Sequence, residues 1–203
     1  ELIGTFLLVF IGAGAGATNA GIVGVALAHG IALMVIIYIF GSISGAHVNP
    51  AVTISLALTG KVKWTQAIAY LVAQLIGAAL AGYMLRFILG APGGLGATQL
   101  AGNISPAAGV TVEAILTFFL VTAVFASGVA NKNGNIAGVA IGLVLTMDIL
   151  MGGTLTGASM NPARTFGPAV ALLDFNNFWV YLVGPILGGA AAAFLYDRVF
   201  LKN

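Results

Sequence analysis

Two short runs in the chain carry the residue types that can handle a small polar molecule. Ser44 to Val52 reads Ser-Gly-Ala-His-Val-Asn-Pro-Ala-Val, and Thr156 to Arg164 reads Thr-Gly-Ala-Ser-Met-Asn-Pro-Ala-Arg. Each Asn precedes a Pro. Asn49 and Asn161 therefore suit the cap before a helix, while Pro50 and Pro162, followed by Ala51 and Ala163, suit the first turn, where a missing N–H costs nothing. An Asn amide offers two N–H donors, and two such amides at opposed helix starts place donors on one molecule from two sides. A water held there accepts both bonds and turns its own hydrogens away along the path. It cannot readily relay a proton, and two positive helix ends repel hydronium. One copy alone would read as a simple cap; two in register predict a site that conducts water and resists protons.

Other candidates surround the boxes. Gly45, Ala46 and His47, with Gly157, Ala158 and Ser159, are expected to expose carbonyls as a ladder of acceptors along an otherwise apolar wall. Arg164 follows the second box where Val52 follows the first. A lone Arg in so apolar a chain must face a wet or polar space, where a fixed cation repels cations and donates bonds to small polar solutes. Glu1 and Glu113 occupy matching places, and intramembrane carboxylates are functional candidates by default. His47 is expected to pack beside the first short helix on the inner side. Asp148 has no evident role in the sequence beyond meeting a neighbouring helix or subunit, or reaching His29 or Arg164.

The elements that must position these groups follow from composition. With 60% hydrophobic and 6% charged residues and a mean hydropathy of +1.10, the chain is far from soluble proteins, in which about a quarter of residues are charged. It reads as an integral, multi-pass, all-α membrane protein. Apolar spans run from Glu1 to Thr18, Ile22 to Ile43, Trp64 to Leu89, Val110 to Ala130, Ile136 to Gly152 and Phe178 to Leu201, each near the roughly 20 residues that cross a bilayer. The segments Asn49 to Leu58 and Asn161 to Leu173 reach only about half of a ~30 Å core and predict half-helices. A short segment is expected to precede Glu1, which opens directly on an apolar run.

A shift of 112 residues carries Asn49 onto Asn161, Glu1 onto Glu113, Thr5 onto Thr117, Gly30 onto Gly142 and Gly77 onto Gly189. Each repeat then holds three crossings and one half-helix. Three is odd, so the second repeat enters from the opposite face and the two half-helices meet tip to tip near the midplane. The expected organisation is one channel domain over 1–203, with repeat 1 over about 1–89, an outer loop over 90–109 and repeat 2 over about 110–203. Lys61, Lys63, Lys132, Arg198 and Lys202 fall on one side and Arg86 on the other, so the positive-inside rule places both termini in the cytoplasm.

Paired Asn-Pro-Ala boxes, the second continued by Arg, resemble the aquaporin family of membrane channels. That resemblance covers essentially the whole chain. It implies six transmembrane helices with two re-entrant half-helices in an inverted repeat, a homotetramer with one pore per subunit, and a passive path for water. It implies that Glu1 and Glu113 brace the loops before the boxes. It also implies a narrow ring of Arg164 with His29, Ile149 and Ala158. The strict water-channel pattern has an aromatic residue at His29 and a His at Ile149, so this ring is more similar to the plant vacuolar branch and opens the path to ammonia or other small neutral solutes. The glycerol-conducting branch carries Asp where this chain has Thr165. A glycerol or small-polyol facilitator of the same family is the alternative, and an ion-coupled transporter, using Glu1, Glu113 and Asp148, a more distant one. The cell membrane is the expected location.

An enzyme is the weakest reading. There is no Cys, no HExxH and no GxSxG, and the two His stand 18 residues apart without a neighbouring carboxylate. Neither a metal nor another cofactor is expected, and the few basic residues indicate no nucleic-acid partner.

Overall fold

The computed structural model describes residues 1–131 and 133–201. The expectations for Lys132 and Lys202 fall outside them. The described chain is all-helical: α1 (Leu2–Ala17), α2 (Gly21–Ser44), α3 (Pro50–Leu58), α4 (Trp64–Leu89), α5 (Pro106–Val124), α6 (Ala137–Thr156), α7 (Pro162–Leu172) and α8 (Val180–Leu195). Wider π-type turns continue α5 to Val129 and α8 to Phe200. Five of these stretches are long and apolar enough to cross a membrane. The sixth crossing is α1, whose 16 residues span about 24 Å. The outward surface is apolar, with Phe87, Ile3, Ile68 and Leu143 all exposed, as suits a chain whose solvent is lipid.

The two remaining helices are short for a local reason. Asn49 and Asn161 adopt extended backbone, and each side-chain oxygen accepts from the N–H two residues on, Ala51 at 2.8 Å and Ala163 at 3.0 Å. With Pro at the first position and only 9 and 11 residues, α3 and α7 reach about 14 and 17 Å.

Repeat symmetry is visible in the packing. Gly30 of α2 lies against Gly142 of α6, its own counterpart under the 112-residue shift. A Cβ on Gly142 would stand 2.5 Å from the Gly30 carbonyl oxygen, and one on Gly30 would stand 2.6 Å from that of Gly142. Only glycine permits that approach. Gly77 of α4 likewise meets the Leu2 backbone of α1, and on the other side of the molecule α5 packs on α8 through Gly184 and Gly188.

Charged groups place the ends. Lys61, after α3, pairs with Asp197, after α8, at 2.7 Å, so those ends share one face. Arg86, near the end of α4, donates to the Ala171 carbonyl near the end of α7 on the other.

Two boundaries differ by four residues from those expected. Helix α5 begins at Pro106, four residues before Val110, because Ser105 caps it by accepting from Ala108 N–H at 3.2 Å. This Ser-Pro start follows the same rule as the Asn-Pro starts. Helix α6 runs to Thr156 instead of Gly152 because its left-handed cap is Gly157, at φ +82°.

Candidate functional site

The boxes meet. Asn49 Nδ2 donates to the Met160 carbonyl at 2.8 Å, and Asn161 Nδ2 donates to the Val48 carbonyl at 2.9 Å. Val48 and Met160 are counterparts in the two repeats, so this is one reciprocal cross-brace. Each amide has two N–H groups. One is spent on the brace, leaving a single donor per Asn, and both Asn49 and Asn161 line an internal cavity.

The cavity measures about 520 Å³. Helix α2 contributes His29, Leu33, Ile37 and Gly41, and helix α6 contributes Ala137, Ile141 and Leu145. Fourfold spacing marks a single face of each helix. Leu8 and Leu120, also counterparts, complete an apolar wall, and Lys61, Val62, Gly128 and Val129 surround the mouth on the face that carries the Lys61–Asp197 pair.

The segments before the boxes are held in unusual backbone. Gly45, Ala46 and Val48 have φ of +89°, +51° and +44°, and Gly157, Ala158 and Met160 have +82°, +45° and +48°. Left-handed φ is strained for non-glycine residues, above all for the β-branched Val48. Two carboxylates, the half-buried Glu1 and the fully buried Glu113, hold this strain. Glu1 accepts from His47 N–H at 3.0 Å, Val48 N–H at 2.7 Å and Ser44 Oγ at 2.6 Å. Glu113 accepts from Ser159 N–H at 2.9 Å, Met160 N–H at 2.8 Å and Thr156 Oγ1 at 2.7 Å. Ser44 and Thr156 also accept from Ala46 and Ala158 N–H. Irregular backbone at membrane depth must find partners inside the protein, and here the N–H groups do.

Among the ladder residues, Gly45, Ala46, His47 and Ser159 line the cavity, while Gly157 and Ala158 do not. His47 Nδ1 lies 3.1 Å from Thr53 Oγ1 of α3, and its ring meets Tyr70 edge-on.

Of the four ring candidates, His29 and Arg164 line the cavity. Ile149 is the next position on the α6 stripe, one turn beyond the lining residues, and Ala158 Cβ lies near Gly152; both are buried in the apolar cluster with Leu116 and Met160. Arg164 Nη1 donates to the Gly96 carbonyl at 2.8 Å, while its Nε has no partner among the described residues. His29 Nδ1, 2.9 Å from the Val25 carbonyl, must donate to it, and Nε2 has no partner among the described residues. The imidazole fits because position 12 is glycine: a Cβ there would come within 2.6 Å of His29 Cε1.

Asp148 is buried, and one of its carboxylate oxygens has no partner among the described residues. It shares a helix face with Gly152, whose neighbours are Leu116 and Val112, so it points toward α5 and not to a subunit surface. The main groups missed in the sequence are Ser44, Thr156, Gln74 and Thr98. For the first two a signal existed, since a hydroxyl residue stands five places before the Asn in both boxes.

A family profile described as major intrinsic protein matches residues 1–196. The chain is 42% identical to an Arabidopsis thaliana protein named aquaporin TIP2-1, over 100% of this chain and 86% of that protein. It is 40% identical to aquaporin NIP1-1 of Zea mays, over 100% of this chain and 74% of the other. Among solved structures it is similar to an aquaglyceroporin from Plasmodium falciparum, with a TM-score of 0.87, 28% identity, and coverage of 100% of this chain and 95% of that one.

Proposed function

The chain belongs to the major intrinsic protein family and is a passive membrane channel for water and small neutral solutes, and we propose that its solutes pass in file between the free amide donors of Asn49 and Asn161. The observation that carries this reading is the reciprocal brace: each Asn is fixed by Oδ1 to its own half-helix and by one N–H to the opposite repeat. The second N–H then has a fixed direction, and a passing water accepts it without any rearrangement of the protein. Pro50, Ala51, Pro162 and Ala163 shape the helix tips that hold these donors. The carbonyls of Gly45, Ala46, His47 and Ser159, all residues that line the cavity, supply acceptors along the path.

In this proposal Arg164 and His29 form the polar side of the narrow ring and Ile149 and Ala158 its apolar side. Glu1 and Glu113 are braces. Their oxygens are occupied by backbone and hydroxyl donors, which leaves the ion-coupled alternative only Asp148. The likeness to an aquaglyceroporin gives the polyol-facilitator reading a specific support, and the apolar side of the ring suits it. We place both termini on the cytoplasmic side, with Lys61 at the inner mouth. The TIP- and NIP-type relatives lend no support to the cell membrane in particular. The assembly is proposed to be a homotetramer, checked by mass measurement of the detergent-solubilised protein.

The experiment is solute selection by reconstituted Arg164→Val, which gives the second repeat the residue of the first, Val52. Glycerol and urea permeability should rise roughly tenfold relative to water. A solute profile identical to the parent's would reject the placement of Arg164 in the ring.

A further inference from the structure

The two half-helices are tied at their far ends by different means. The last turn of α4 carries Arg86, whose guanidinium donates to the Ala171 carbonyl in the last turn of α7. Under the 112-residue shift Arg86 falls on Arg198 and Ala171 on Thr59, the residue that ends α3. The same device would therefore have Arg198 hold Thr59. Arg198 instead lies over the Phe194 ring, 5.2 Å from its centroid. The end of α3 is tied to the extension of α8 by Lys61 and Asp197, 2.7 Å apart, whose counterparts Leu173 and Leu85 carry no charge.

The two members of this pair stand on unequal supports. Asp197 follows Tyr196, which is buried with its ring centroid 6.0 Å from that of Phe125, in one apolar cluster with Val52 and Leu56 of α3. Lys61 stands on a tight turn, where Gly60 has φ +72° and Lys61 N–H donates to the Leu56 carbonyl at 2.9 Å. That turn fixes the Lys61 backbone but leaves its flexible four-carbon stem free. Both charged groups are partly exposed. The Asp197 carboxylate thus sets where the stem points.

That direction matters because Lys61 lines the cavity. The other residues around this mouth are Val62, Gly128, Val129 and Ala137, none of which has a polar side chain. An ammonium released from Asp197 finds only backbone carbonyls and the water of the mouth as partners. Either choice brings a charged, hydrated head toward the path of neutral solutes.

We propose that Asp197 is a positioning residue for conduction, which draws the Lys61 ammonium toward the end of α8 and keeps it from lying across the mouth. The proposal rests on the conduction reading above and names what keeps one end of that path clear. It also separates the two members of the pair: loss of Asp197 leaves a loose cation at the mouth, whereas loss of Lys61 removes the cation.

The test compares parent, Asp197→Asn, Asp197→Glu, Lys61→Met and the Lys61→Met/Asp197→Asn double variant in proteoliposomes, by stopped-flow water permeability per reconstituted channel. Asp197→Asn should lower it roughly twofold. Asp197→Glu should restore the parental value, because a carboxylate is again in reach. Lys61→Met breaks the same pair but should conduct at least as well as the parent, and the double variant should match Lys61→Met, because Asp197 acts only through Lys61. Equal losses in Asp197→Asn and Lys61→Met would show a pair that merely supports the fold and would overturn the proposal. So would an unchanged Asp197→Asn, a Glu variant as low as the Asn variant, or a double variant as low as Asp197→Asn. If Asp197→Asn does not reconstitute, Asp197→Ala with and without Lys61→Met gives the same comparison. A parent indistinguishable from empty liposomes rejects the conduction reading, whereas conduction that loss of the Asp197 carboxylate leaves unmoved rejects only the role of Asp197.

Discussion

Asn49 donates across the repeat boundary to the carbonyl of Met160 at 2.8 Å, and Met160 directly precedes Asn161. The mirror bond from Asn161 to Val48 makes the two halves hold each other by the same two side chains that line the cavity. In the proposed reading, positioning of the solute donors and cohesion of the repeats are therefore one interaction.

Asn49→Asp separates those two roles from mere size. The substitution replaces the donating amide by an acceptor aimed at the Met160 carbonyl, in a buried place. Loss of the bond and the repulsion together should cost about 3 kcal/mol or more and lower water permeability roughly tenfold. Denaturant unfolding and stopped-flow on one preparation check both, and a variant with parental stability would show the brace to be dispensable.

Glu113→Ala removes the acceptor for two buried N–H groups and the Thr156 hydroxyl. Each stranded donor costs about 1–3 kcal/mol, and the left-handed residues Ala158 and Met160 lose what holds their strain. The expected result is a loss of folded protein well beyond that of Glu113→Gln, which keeps one acceptor. Fluorescence-detected size exclusion during a heat series compares them.

Gly142→Val should drive α2 from α6, because the new side chain meets the Gly30 backbone and not a movable group. Overpacking of this kind costs about 1–3 kcal/mol. Gly102→Ala, with nothing within 4 Å of the added Cβ, is the control and should leave the melting temperature unchanged.

Gly12→Ala acts on His29 without touching the cavity itself. The added methyl overlaps the imidazole, and the free space for the ring to move into is the cavity that it lines. Water permeability should fall severalfold while stability drops by only about 1 kcal/mol. Restored permeability in Gly12→Ala/His29→Ala would show that the ring is the obstruction.

Much of this arrangement is legible in the chain because two local rules repeat. Asn before Pro fixes the starts of α3 and α7, and the 112-residue shift pairs Glu1 with Glu113 and Gly30 with Gly142. The ends of crossing helices are harder to read, as α5 and α6 show, since in an apolar run only a cap such as Ser105 or Gly157 marks the limit. The sequence also leaves open how the donors are spent. That one N–H of each Asn goes to the other repeat depends on the left-handed turns at Val48 and Met160, and no local propensity predicts positive φ for Val. Thr98 escapes notice for a related reason: the partner of its hydroxyl, Thr165, is 67 residues away, and in the first repeat Thr53, the counterpart of Thr165, bonds Gln74 instead.

Water and proton flux measured on the same proteoliposomes test the account most directly. With an outward osmotic gradient the channel should raise water permeability at least roughly tenfold over empty liposomes, while an imposed pH gradient decays no faster than in those liposomes. Water permeability at the lipid background, or proton flux that rises in step with water flux, would contradict the idea that two fixed amide donors orient the passing file.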